Sequence, residues 1–254
     1  RQDVDRLGEF TLSYKKKIGR HHIDALAGYT LQKKTYDRLG VEATGFADDR
    51  IHEVTGHGSN ASDISLYSTR KAAWAMMSFL TRVNYSFDDR YTLTGSFRAD
   101  GSSRFGIDSR WGYFPSVSAG WTLSNEPFLK DALKDVASIR LRASWGKSGN
   151  NDIGNYASLA GISSGSYAFG QTPVSTTYEG SFTDAALGWE TTRQTNVGID
   201  LGFFNGRLNV IGNWYNSIST DILYKYPISS ISGATSTTTN MSGAKIRNRG
   251  FDVQ

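Results

Sequence analysis

The chain has 254 residues, with 28 Lys and Arg against 24 Asp and Glu, and its formal charge of +4 is too small an excess to point to a nucleic-acid partner. The absence of Cys excludes a disulfide scaffold, a zinc ribbon and a thiol nucleophile, while 13% aromatic residues argue against disorder and the 27 glycines lack the period of collagen. No apolar run approaches the roughly 18 residues of a membrane-spanning helix, which leaves a transmembrane β-barrel open because alternating strands give no hydropathy peak.

In chain order, Arg1-Gln2-Asp3-Val4-Asp5 opens without a signal peptide. Residues 7–17 read as a strand with Phe10, Leu12 and Tyr14 on one face, and 21–34 as its partner with Ile23, Ala25, Ala27, Tyr29 and Leu31 aligned. Residues 74–87 set Met77, Phe79, Val83, Tyr85 and Phe87 against Ser78, Arg82, Asn84 and Ser86. After Asp88-Asp89-Arg90, residues 91–100 set Tyr91, Leu93, Phe97 and Ala99 against Thr92, Thr94, Ser96, Arg98 and Asp100. Residues 111–124 continue the pattern. A short helix is predicted over 126–135, with Asn125 as N-cap, Pro127 in the first turn and a solvated face of Glu126, Asp131 and Asp135.

Residues 138–148 place Ile139, Leu141, Ala143 and Trp145 opposite Arg140, Arg142 and Ser144. Residues 190–204 set Val197, Ile199 and Leu201 against Asn196, Gly198 and Asp200. Asn205-Gly206 is a strong hairpin signal. Residues 207–224 follow, with Leu208, Val210 and Trp214 on one face, and a further strand begins near Arg249. The alternation thus predicts eight strands and the start of a ninth. The chain stops at Gln254 inside that strand, so both ends are expected to be cut from a longer polypeptide.

Connection lengths alternate. Residues 18–20, 88–90 and 205–206 are tight and 125–137 is a compact link, whereas 35–73, 101–110, 149–188 and 225–248 lie at the other strand ends. Up-and-down outer-membrane barrels have short periplasmic turns and longer extracellular loops in this way. A soluble β-sandwich, an adhesin for example, also alternates, but its strands typically run about 5–6 residues, and a tilted membrane strand needs about 9–11. Trp74, Trp111, Trp145 and Trp189 lie beside the long connections, and Tyr85, Phe87, Tyr91 and Trp121 beside the short ones. Two interfacial girdles account for that placement.

Charges fall opposite the apolar set. Arg82, Arg98, Asp100, Arg140, Arg142 and Asp200 are therefore candidate lumen-lining residues, either tying the wall together in a salt-bridge ladder or touching substrate. Asp100-Gly101-Ser102-Ser103-Arg104-Phe105 reads as a structured turn in which Arg104 pairs with Asp100, the alternative being ligand contact at the rim. Ser148-Gly149-Asn150-Asn151 is a turn signature with no helix behind it to make a phosphate cradle. His52 and His57, with Asp48, Asp49 and Glu53, have weak spacing for a metal site. No catalytic, cofactor-binding or metal residue is assigned, and no cofactor is implied. Arg90-Tyr91 and Arg110-Trp111 fit interfacial anchoring, where the cations meet lipid phosphates, better than nucleic-acid stacking.

Long stretches then resemble one family. "LTRVNYSFDDRYTLTGSFRADGSSRFG" from Leu80, "RWGYFPSVSAGWTLSNEPFLK" from Arg110 and "IRLRASWGKSGNNDIGNY" from Ile139 resemble the SusC/RagA family of TonB-linked outer-membrane transporters of Bacteroidetes-type bacteria. "LNVIGNWYNSISTDILYKYPI" from Leu208 and "SGAKIRNRGFDVQ" from Ser242 are similar to the same family's next hairpin and following strand. The resemblance covers residues 74–254 and is less specific over 1–34.

The resemblance implies an antiparallel up-and-down transmembrane barrel of about 22 strands with a plugged lumen. Residues 1–254 would be one section of that barrel domain, with the plug and the remaining strands lying outside it. It further implies energy coupling to TonB through an N-terminal part. A SusD-like surface lipoprotein would cap the barrel, in a dimer of transporter–lipoprotein pairs, to capture glycans or peptides. On that reading Tyr156, Tyr167, Phe169 and Tyr178 are candidate extracellular contacts, stacking on sugar rings or on the lipoprotein lid, or packing the loop on itself. Other readings stay open: a passive porin-like barrel, or a structural or assembly subunit of a larger envelope complex.

Overall fold

Residues of alternating polarity pair into long antiparallel ladders wherever a tight turn brings them back on themselves. A computed structural model of the chain describes residues 2–43, 64–133, 137–170, 172–184, 186–204, 206–229, 231, 234 and 236–254. Strands β1 (Gln2–Ile18), β2 (His21–Ala43), β3 (Ile64–Phe87), β4 (Tyr91–Ser102), β5 (Trp111–Thr122) and β6 (Ala137–Asn150) form one continuous meander. It continues through β9 (Glu190–Phe203), β10 (Leu208–Pro227) and β11 (Ser236–Val253). Between β6 and β9 the chain makes a hairpin, β7 (Gly161–Phe169) and β8 (Thr172–Thr183), which touches β11 through the parallel pairs Thr237–Phe182 and Thr238–Thr183. The sheet is a barrel segment that does not close on itself.

Among the described residues the structure has eleven strands where alternation predicts eight and the start of a ninth. The additional two are β7 and β8, whose Gly-, Ser- and Thr-rich sequence carries no apolar period to read. Strands β2 and β3 also run on through the segment read as a long loop, pairing from Thr35–Ala73 up to Ala43–Ile64 with a bulge between Arg38 and Gly40. A ladder already in register propagates without needing an amphipathic pattern, because each further residue adds backbone hydrogen bonds.

Turn chemistry explains the short end. Asp88 and Asp89 both adopt positive φ, as the two central residues of a type I′ turn do, and Arg90 N donates to Phe87 O at 3.0 Å. Gly19 and Gly206 supply the left-handed residue at the other two tight turns. Asn205 lies outside the described residues. Helix α1 (Pro127–Leu133) follows a 3₁₀ turn over Leu123–Asn125, so the cap differs from expectation. Glu126, not Asn125, stands before Pro127 and accepts from the N–H groups of Leu129 and Lys130, and the Asn125 side chain donates to Asp89 O.

The sheet inverts the usual placement of residues. Phe79 is 48% exposed while its neighbour Ser78 is 0% exposed. Leu93, Phe97, Val117, Leu141, Val197 and Ile199 are exposed, whereas Asp100 and Ser102 are buried. The exposed side chains all sit on one face by register. On β5 that face runs from Trp111 to Trp121, about 34 Å along the strand and about 26 Å along the normal at the usual barrel tilt of about 40°, the height of a lipid-facing band. Rings ladder along its lower edge: Phe87–Tyr91 and Tyr91–Trp121 centroids are each 6.4 Å apart, and His21–Phe87 centroids are 4.8 Å apart. At the other edge Phe79–Trp111 centroids are 6.1 Å apart. No helix among the described residues is long and apolar enough to cross a membrane.

Candidate functional site

The face opposite the apolar band is a polar wall, and register decides which of its residues meet. Arg98 on β4 forks its Nε onto both oxygens of Asp100 at 2.7 and 2.9 Å, and donates from Nη2 to Ser78 Oγ on β3 at 3.0 Å. Asp100 and Ser78 are buried, so this pair is held in a fixed geometry. Arg142 on β6 donates to both oxygens of Asp200 on β9 at 2.9 and 3.1 Å, and to Asn213 Oδ1 on β10 at 2.7 Å, tying three strands together.

Glycine makes those crossings possible. A Cβ at Gly198 would lie 3.1 Å from Arg142 Cζ, and one at Gly120 would lie 3.2 Å from Arg140 Nη2. Both guanidinium groups therefore lie flat across a strand where any side chain would lift them. Arg82 and Arg140 are exposed and make no ion pair among the described residues. Four of the six candidate residues thus form two networks rather than one centre, and Arg82 and Arg140 stand outside both. Arg98 stands six residues along β4 from Thr92, which shares a row with Gly120 and Arg142, a separation of about 20 Å. Around the lower network opens a concavity of about 990 Å³ lined by Lys15, Asp24, Asn84, Arg140, Arg142 and Asn196.

At the long-connection end the molecule packs conventionally. Phe105, Ile153 and Leu187 are buried together with Ala157, Trp189 and Leu223 against them. Phe105–Trp189 and Phe114–Trp189 centroids lie 5.2 and 5.3 Å apart, and Trp189 Nε1 donates to Arg110 O. The turn at Asp100–Phe105 is structured as expected, but Arg104 does not pair with Asp100, which Arg98 already occupies. Arg104 reaches into the 151–155 segment instead, donating to Asn151 O at 3.0 Å and Asn155 Oδ1 at 3.2 Å, with its guanidinium 5.0 Å from the Trp74 ring centre. Asn151 in turn donates to Ser102 Oγ at 3.0 Å. Residues 151–156 therefore cross the inward rim of β4 and β3.

The four aromatic candidates separate. Tyr156, at φ +65°, accepts from Ala73 N at 3.0 Å, which packs it onto β3. Tyr167 and Tyr178 stand on the same face of the β7–β8 hairpin with Val174 and Thr176, and both are exposed. Phe169 pairs with Thr172 at the hairpin tip. His52, His57 and their acidic neighbours lie outside the described residues, among which no cluster of three or more His, Asp or Glu could hold a metal ion.

One polar centre escapes sequence reasoning. Glu126, expected on a solvated helix face, is 5% exposed. Its carboxylate accepts from Tyr91 OH at 2.6 Å, Trp121 Nε1 at 2.9 Å and Arg90 Nη1 at 2.8 Å. These hydrogen bonds, Tyr91 and Trp121 foremost, hold its carboxyl below the usual carboxylate range. Arg90 also meets Asp88 at 2.7 Å, and Asp88 is bridged by Arg20, whose hydrogen bond lowers the Asp88 pKa. The group clamps the short turns of β3–β4 and β5–β6 together. The only local signals are position, the residue before Pro127 at a helix start, and Trp121 five residues back; Tyr91 and Arg90 come from 35 and 36 residues away.

Comparison with known proteins matches this geometry. The family model described as TonB dependent receptor-like, beta-barrel covers residues 3–254. TonB-dependent receptor P39 of Formosa agariphila is 33% identical over 253 residues, 98% of this chain and 23% of the relative. TonB-dependent receptor SusC of Bacteroides thetaiotaomicron is 35% identical over 202 residues, 78% of this chain and 19% of the relative. The solved structure of the RagAB peptide transporter superposes with a TM-score of 0.87 at 30% identity, over 99% of this chain and 27% of that one. The chain spans about a quarter of the length of these relatives.

Proposed function

The chain belongs to the TonB dependent receptor-like β-barrel family, and from that premise we propose that it forms a section of the wall of an outer-membrane importer of SusC/RagA type. Residues 1–254 are one part of a single barrel domain whose polar face lines a hydrated lumen. Within it, Arg98–Asp100–Ser78 and Arg142–Asp200–Asn213 keep the wall in register, and the exposed Arg82 and Arg140 meet what passes. The work is gated uptake driven through TonB rather than bond chemistry. The cargo is glycan oligomers or peptides, captured with a SusD-like surface lipoprotein that sits over the long connections, where Tyr167 and Tyr178 are presented on a hairpin. Transporter–lipoprotein pairs assemble as a dimer.

The observation that carries this reading is the inverted polarity of the sheet, with Phe79, Leu93 and Val197 exposed on one face and Ser78 and Asp100 buried on the other. Apolar strands of this length exposed to water would aggregate; facing acyl chains they need no cover. The test uses the full-length receptor in its own cells. Uptake of labelled oligosaccharide and labelled peptide is measured with and without TonB and with and without the neighbouring lipoprotein. Uptake that persists without TonB contradicts energy coupling, and uptake indifferent to the lipoprotein contradicts the partnership.

A further inference from the structure

On the apolar face, β6, β9 and β11 carry cations toward the long connections that make no ion pair among the described residues. Lys147 on β6 lies directly opposite Arg193 on β9. Along the same row Arg193 is opposite Ile218 of β10, and Ile218 is opposite Arg247 of β11. Arg249 stands one outward position nearer the band, opposite Asn216, and Lys245 one farther, opposite Thr220. The outward positions of these four strands, over 137–149, 191–203, 208–220 and 245–253, contain no acidic residue. Of their acids, Glu190, Asp200 and Asp252 occupy inward positions, and Asp221 stands at the bulge between Thr220 and Ile222, where it accepts from Thr220 Oγ1.

Like charges facing one another across an antiparallel pair, with Cβ atoms about 5 Å apart, repel. Arg6 opposite Lys33 on β1 and β2 repeats the arrangement. The depth is specific. Lys147 and Arg193 are each eight residues from Ile139 and Leu201 at the lower edge of the band, about 27 Å along the strand and about 20 Å along the normal at a tilt of about 40°. Trp145 lies just inside Lys147 on the same face. The other ends of β6, β9 and β10 present Ala137, Phe203 and Leu208 outward, with no charge. The cations therefore stand near the long-connection edge of the band, on one side only, with side chains long enough to extend to the headgroups.

We infer that Lys147, Arg193 and Arg247 form a seat for the phosphate monoester of a membrane lipid in the leaflet on the side of the long connections. Arg193 offers a planar fork to phosphate oxygens, Lys147 a mobile point charge, and the phosphate divides the two cations. Arg247 is pre-set by its Nε bond to Asn216 Oδ1 at 2.7 Å, which leaves its terminal nitrogens to the ligand. The inference rests on the reading that this face meets lipid.

The test uses the full-length protein, purified in detergent and placed in phosphatidylcholine bilayers doped with phosphatidic acid, with bound lipid counted by native mass spectrometry. The Lys147→Gln/Arg193→Gln variant should lose phosphatidic acid retention by about thirtyfold, at about fivefold per cation. Arg193→Glu, which sets a carboxylate against Lys147, should also lose the lipid yet raise the unfolding temperature in lipid-free detergent, separating lost binding from lost folding. Retention unchanged in both variants overturns the inference, as does displacement of the lipid by inorganic phosphate at equal concentration. A native protein that fails to insert into the bilayer at all would overturn the membrane reading beneath it.

Discussion

The wall and the cap above it use the same side chains in opposite ways. In the wall, Val197, Leu141 and Phe79 are exposed on one face, and Ser78 and Asp100 are buried on the other. In the cap, Phe105 and Leu187 are 1% and 0% exposed at the centre of a small core. Apolar groups leave water in both regions. In the cap they pack on each other, and in the wall they meet hydrocarbon that the lipid supplies. Burial in this protein therefore reports the local solvent more than the residue type.

The largest expected effect breaks the cap alone. Phe105→Ala should cost about 3–5 kcal/mol of local stability through the cavity it leaves, and the readout is faster protease cleavage within 103–110 and 151–160 while the heat-resistant migration of the barrel persists. Loss of both together would mean that cap and wall are one cooperative unit. Next comes the wall. Val197→Lys should cost about 2–4 kcal/mol in membrane insertion, as Leu141→Lys should, whereas Asn196→Lys, one position away on the other face, should insert normally. Equal insertion of all three would erase the distinction between the faces.

Asp100→Ala sharpens the comparison from the polar side. It strands Arg98 and Ser78, and should lower stability in denaturant by about 1–3 kcal/mol. Asp200→Ala should cost less than about 1 kcal/mol, because the Arg142–Asp200 pair is more exposed. The smallest effect concerns the clamp at the short turns. The folded-state pKa of Glu126 is lowered, so the stability it contributes is complete above its unfolded value of about 4.3 and is lost as pH falls through the lower folded value. Thermal unfolding followed from neutral pH downward should show that acid loss in the native protein and a flatter profile in Glu126→Gln.

Local reading reached most of the wall. Period-2 alternation placed β4 to β6 and β9 within a few residues, and Asp88-Asp89 and Gly206 marked turns, because each signal lies within a few residues of its consequence. It missed β7 and β8, where Gly-, Ser- and Thr-rich segments pair through their backbones without an apolar face. It also misassigned Arg104 and Glu126, whose partners, Trp121 excepted, are side chains and carbonyls tens of residues distant. Asn213 was recoverable, since it falls at an inward position of β10, but only register shows that it meets Arg142.

Sequence alone determined the faces. Alternation separates Val197 from Asn196 whatever the rest of the chain does, since successive side chains of a strand must point to opposite sides. It also determined which strand ends are tight and which are long. Tertiary structure alone decided the partners: that Arg98 takes Asp100 and leaves Arg104 to Asn151, that Glu126 is enclosed by Tyr91, Trp121 and Arg90, and that Lys147 confronts Arg193. Those outcomes depend on register between strands, and register is a sum over a whole ladder that no single segment encodes.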